Sequence, residues 1–265
     1  DNMLSLAGAI NPDAVIAFAK EFGTVNNLTA KSALNLTLMS YRFNVSAESA
    51  AKLTKAMSNI SSQSTQQIIG DMYTFNEQLQ KAGVVSPAQV MEDVANNTEL
   101  FAKFGKDGGK NILNAAAAAA KLGISIGSVA SAAESLLDFE TSIEKQLEAE
   151  ILLGRSLNLE KARQLSFAGD MEGLQRELVR LVGSETEWNN LNFIQRRSLA
   201  EALGSDLTTI SNIVGAQERQ HEAAGITTGV VKDMGAAFLA MAPVIMGIVG
   251  GLIAAPGAIT TAFTK

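Results

Sequence analysis

Helix starts and stops punctuate this chain so closely that it cannot fold as one long rod. Asn11, Pro12 and Asp13 stand as the N-cap, first helical residue and first-turn acid of a helix that Gly23 ends. Ser86-Pro87 repeats that logic, and Ser184 with Glu187 and Asn192 with Gln195 read as capping boxes. Asn158 caps a short helix over 159–167, Gly169-Asp170 breaks and caps again, and Gly154 and Gly183 are further stops. An uninterrupted helix of all 265 residues would reach about 400 Å at the usual rise per residue. The punctuation describes a compact or zigzag helical body instead.

Between the stops, apolar residues return every three to four positions, the period of one helix face. Val15, Phe18, Ala19 and Phe22 make such a stripe, as do Ala50, Leu53, Met57 and Ile60, and then Ile68, Met72, Phe75 and Leu79. Val90 and Val94 share a side after Ser86-Pro87. Ile112, Ala115, Ala119 and Leu122 share a face through the alanine run 115–120, whose small side chains let two helices approach closely. Similar turns place Ser46, Ser86, Ser125 and Ser205 at spacings that suit either a helical-hairpin repeat or the ordinary form of a helix junction. Hydrophobic residues make up 47% of the chain but aromatics only 5%, and there are four prolines, which favours helices packed through small residues over sheets. The expected fold is all-α: short-to-medium helices joined by Gly, Ser and Asn turns, with an apolar C-terminal segment. Gly105–Lys110, GKDGGK, looks flexible and sets a boundary between an N-terminal helical region (1–110) and a central amphipathic one (111–220), followed by the apolar segment (221–265).

The central region is organised around Ser131–Leu157. Ala132, Leu136, Phe139, Ile143, Leu147 and Ile151 form an apolar stripe, Glu134, Asp138, Glu144, Lys145 and Glu148 fall largely opposite, and Arg155, Lys161 and Arg163 begin a more basic segment. The spacing predicts one acidic amphipathic helix whose stripe needs a partner, either the rest of the chain or a sister copy. Leu136, Phe139, Ile143 and Leu147 are its self-association residues.

From Met234 to Thr264 there are 31 residues without a charge, between Lys232-Asp233 and Lys265. A run of about 20 apolar residues suffices to cross a bilayer. Gly247 and Gly251 form a GxxxG pair for close helix approach and so join the self-association residues. Phe238, Val244, Ile245, Ile248, Leu252 and Ile253 are the candidate membrane contacts. Pro243 and Pro256 leave a kinked helix, a helical hairpin or an irregular plug as alternatives to a straight span, and burial in an oligomer core competes with insertion.

No enzyme chemistry is expected. The chain has no cysteine and one histidine, His221, in a polar run, so no thiol nucleophile or zinc-thiolate site can form and a transition-metal site would need carboxylates almost alone. There is no phosphate-loop, dinucleotide or nucleophile-elbow motif. No catalytic residue, metal ligand or cofactor is assigned. The i, i+4 acids from 134 to 148 read as a solvated face. A net charge of −6 argues against sequence-specific nucleic-acid binding, which needs clustered Lys and Arg. Asp1–Ile10 lacks the basic start of a secretory signal, and a first residue other than methionine suggests part of a longer polypeptide.

The run AESLLDFETSIEKQLEAEILLGRSLNLEKARQLSFAGDMEGLQREL, followed by VGSETEWNNLNFIQRRSLAEALG, resembles tail tape-measure proteins of tailed bacteriophages. FAKFGKDGGKNILNAAAAAAKLGIS extends the resemblance upstream, so that it covers Leu100–Gly204. It implies a virion structural protein that occupies the tail-tube lumen or tail tip, helps set tail length and leaves ahead of the genome. The implied partners are sister copies in a low-order symmetric oligomer, tail-tube and baseplate-hub proteins, and transiently the host membrane. An α-helical pore-forming or bacteriocin-like toxin is the alternative from another class, and a helical scaffold or adaptor without a membrane role is a third.

Overall fold

The computed structural model describes residues 9–83 and 85–219. Among them every regular element is helical and there is no strand. The order is α1 (Pro12–Phe22), α2 (Ala30–Phe43), α3 (Ala47–Ile60), α4 (Thr65–Ala82), α5 (Pro87–Ala95), α6 (Glu99–Phe104), a 3-10 turn (Asp107–Gly109), α7 (Lys110–Lys121), α8 (Ile126–Leu137), α9 (Phe139–Leu153), α10 (Glu160–Phe167), α11 (Met171–Val182), α12 (Glu185–Asn190) and α13 (Phe193–Ala202). Residues 207–219 are helical as well. By its contacts the chain groups into residues 1–217 and 218–265.

The local chemistry sets most of these boundaries. Asn11 Oδ1 accepts the Asp13 N–H at 2.9 Å, Pro12 opens α1, and Gly23 closes it in the left-handed conformation. Both expected capping boxes are formed, Ser184 with Glu187 and Asn192 with Gln195, and Ser64 with Gln67 makes a third. The recurring turn has a common mechanism at three of its four sites. A left-handed residue (Asn44, Gly123 or Gly204) ends the helix, and the next residue's N–H returns to a carbonyl six positions or five positions back, closing the last turn. Ser46 and Ser125 then cap the following helices, and after Gly204 the cap is Asp206, which accepts from Thr209 N–H at 2.9 Å, rather than Ser205.

Helices two apart in the chain pair most extensively at first: α1 on α3, α2 on α4, α3 on α5, and α5 on α7. Beyond that α7 packs on α11, α8 on α10, and α9 on α13. One apolar core runs through all of them, from Ala14 and Phe18 to Ile213 and Val214. In α7, Ala115, Ala116 and Ala119 are fully buried, and Gln175 of α11 donates its amide to the Ala115 carbonyl at 2.9 Å. The alanine run therefore works as a close-contact surface.

Gly105–Lys110 is packed. A Cβ on Gly105 would lie 2.2 Å from the Phe101 carbonyl oxygen, and one on Gly109 would lie 2.6 Å from the Phe101 ring. Asn111 ties the turn together, accepting the Lys106 N–H at 2.7 Å and donating to the Phe104 carbonyl at 2.8 Å. Residues on both sides of it belong to the same compact group.

The single helix expected over Ser131–Leu157 is two helices. Asp138 ends α8, its N–H returning to the Glu134 carbonyl, and begins α9, its carboxylate accepting from the Thr141 N–H and hydroxyl. A residue that caps both sides has non-helical backbone angles, φ −76° and ψ 83°, so the stripe's phase is broken there.

Candidate interaction surface

The break divides the four described self-association residues between two environments. Leu136, on α8, is fully buried in the chain's own core. Phe139, Ile143 and Leu147, on α9, are 51%, 49% and 54% exposed, and Ile151 continues them at 81%. These four, spaced at i, i+4, make an apolar ladder on the outside of α9.

The inward side of α9 is mostly small and polar, with Leu153 packed against the core near its end. Its buried residues are Ser142 and Ala149. Arg163 of α10, itself buried, donates from Nε to the Ser142 hydroxyl at 3.0 Å and from Nη2 to Gln146 Oε1 at 2.8 Å. Gln146 in turn donates to the Leu157 carbonyl and to Glu150, and Glu150 accepts the Leu157 N–H at 2.7 Å. The hydrogen bonds from Gln146 and Leu157 hold the Glu150 carboxyl below the usual carboxylate range. A buried guanidinium that lost these acceptors would be strongly destabilising. α9 thus turns Ser142, Gln146 and Ala149 to the protein while four large apolar residues stay outside, so its longest apolar stripe is not the buried one an ordinary surface helix shows.

On one flank of the ladder Glu140, Glu144 and Glu148 form a parallel row, each one residue on and so about 100° further round the helix. Glu148 lies 3.6 Å from Lys145, which is held more closely by Glu201 of α13 at 2.9 Å. Glu201 also binds Arg197 at 2.7 Å; its carboxyl is held low first by Lys145 and then by Arg197. Glu140 and Glu144 are exposed and form no ion pair among the described residues. Beyond this row, Leu152, Phe193 and Ile194 line an open groove of about 290 Å³ between α9 and α13. Phe193 and Ile194 are 66% and 62% exposed and add to the apolar surface.

The sequence marks Arg163 only as part of a basic segment and does not single out Phe193 or Ile194. The partners of Arg163 lie 17 and 21 positions away, beyond any local pattern. Phe193 and Ile194 carry a weaker signal, two adjacent large apolar residues directly after the Asn192 cap. Gly247, Gly251, Phe238, Val244, Ile245, Ile248, Leu252, Ile253 and His221 lie outside the described residues. Among the described residues no group of three His, Cys, Asp or Glu side chains is placed to hold a metal ion. No single described helix is long and apolar enough to cross a membrane.

The described residues form an all-α fold in which one helix, α9, carries an apolar ladder on its outside. No protein-family model matches the chain, and no curated protein or solved structure shows significant similarity to it.

Proposed function

We propose that this chain is a structural component of a bacteriophage tail, a segment of the tape-measure protein that its Leu100–Gly204 stretch resembles. In this reading it occupies the tube lumen or the tail tip, associates with sister copies and with tube and hub proteins, and contributes to assembly and genome ejection. The observation that carries an assembly role is the ladder Phe139, Ile143, Leu147 and Ile151 turned outward while Arg163 holds the polar side of α9 inward. An apolar face built outward in this way is a contact surface. The membrane part of the reading rests on the uncharged run 234–264 alone.

Antibody against the chain tests the proposal. Purified virions are separated into tails and capsids, and both fractions are immunoblotted beside imaging of labelled particles. The chain is expected in the tail fraction, with label along or at the end of the tail. Its absence from particles, together with leakage of liposomes on adding the isolated chain, would replace this reading with the toxin one.

A further inference from the structure

We propose that the outer face of α9 receives a basic amphipathic helix from a different protein, its apolar side lying on Phe139, Ile143, Leu147 and Ile151 and its Lys or Arg side chains facing Glu140, Glu144 and Glu148. This deepens the assembly reading by naming the chemistry of the partner.

The shape of the surface asks for a helix. The ladder is a single i, i+4 ridge spanning about 18 Å, three turns, which is the ridge that helices use to interlock. Its orientation is fixed, because turning it inward would take Ser142 and Gln146 away from the buried Arg163. The ridge can therefore be covered only from outside.

The acidic row selects among possible covers. In an antiparallel pair of two copies, like flank meets like flank, and Glu140, Glu144 and Glu148 would face themselves. In a parallel pair they would face the other flank, where Gln146 and Glu150 stand and Arg163 is buried and already bonded to Ser142 and Gln146. Among the described residues the nearby cations are engaged already: Lys145 by Glu201 and Glu148, Arg197 by Glu201, and Arg155 with the Leu181 carbonyl. The chain's own run 234–264 has no charge with which to answer the row. Anionic lipid headgroups would be repelled by it. A helix with an apolar stripe and a cationic flank satisfies both rows at once.

The test uses the full chain and two synthetic helical peptides of about 18 residues, the length that covers the ridge with a turn to spare. Both carry leucines at i, i+4; one has lysines along a flank and the other glutamates at the same places. Fluorescence anisotropy should show the lysine peptide binding at least about tenfold more tightly, with the advantage shrinking as salt is raised. The triple variant Glu140→Lys, Glu144→Lys, Glu148→Lys should reverse the preference. Ile143→Ser should weaken both peptides while lowering the melting temperature by only about 2–4 °C, since Ile143 is half exposed. Equal binding of the two peptides, no binding, or a preference that survives the triple variant overturns the proposal. So does a dimer that dissociates on Ile143→Ser, which would assign the face to a second copy, or Ile143-dependent binding to anionic vesicles, which would assign it to a membrane. None of these outcomes bears on whether the chain is found in tails, so the two readings fail separately.

Discussion

Replacing Leu136 by Ala and, separately, Phe139 by Ala distinguishes a helix broken at Asp138 from a continuous one. In an unbroken helix the two residues share a stripe and would be buried or exposed together. In the structure Leu136 is fully buried and Phe139 is 51% exposed. Truncating a buried leucine removes its transfer free energy and leaves a cavity, about 3 kcal/mol or somewhat more. For a chain of this size each kcal/mol lowers the melting temperature by about 2–4 °C, so Leu136→Ala should lower it by about 6–12 °C. Phe139 is half in water already and stands at the start of α9, where Ala is a good helix former. Its loss should cost about 1 kcal/mol, or about 2–4 °C. Thermal and urea unfolding followed by circular dichroism measure both. Equal shifts for the two variants would refute the break, and a larger shift for Phe139→Ala would place its ring in the core.

Two further outcomes follow from individual sites. Gly109→Ala puts a Cβ 2.6 Å from the Phe101 ring at a residue with φ +92°, so strain and overpacking together should cost about 2–4 kcal/mol, read as a lower urea midpoint with the slope unchanged. Glu177, 2% exposed, has its carboxyl held below the usual range chiefly by Arg180 and also by Lys161 at 3.0 Å. The stabilisation this gives is complete above the ordinary glutamate range and is lost as pH falls through the lowered value; Glu177→Gln should therefore flatten the acid side of the stability–pH curve, and an unchanged acid limb would refute the coupling.

What the sequence makes legible is local. The Asn11 and Ser46 caps, the boxes at Ser184 and Asn192, and the stops at Gly23, Gly154 and Gly183 each depend on residues within a few positions of one another, and each is where the pattern puts it. Burial of Leu53, Met57, Ile68 and Met72 follows from periodicity in the same way. Periodicity fails across Asp138 because it counts apolar residues without registering that a carboxylate can cap a helix on both sides. It also fails to set the rotation of α9. Counting places Phe139, Ile143 and Leu147 on the side to be covered, whereas the direction that side faces depends on Arg163, which reaches α9 from another helix.

The rotation of α9 can be weighed directly. Four large apolar side chains, each half or more exposed, forgo about half of the 1.5–3 kcal/mol that full burial of each would give, roughly 3–6 kcal/mol together. Turning α9 by half a turn to recover this would leave Arg163 buried without Ser142 and Gln146, at about 3–5 kcal/mol. It would also force large side chains into the space that Ser142 and Ala149 now fill, adding about 1–3 kcal/mol of overpacking. The loss, about 4–8 kcal/mol, is centred above the gain, so the folded chain keeps its ladder outside. The forgone burial does not vanish on that account. It remains as interaction energy that no rearrangement within α9 and α10 can capture, and that a helix laid along the ridge recovers without disturbing a single bond to Arg163.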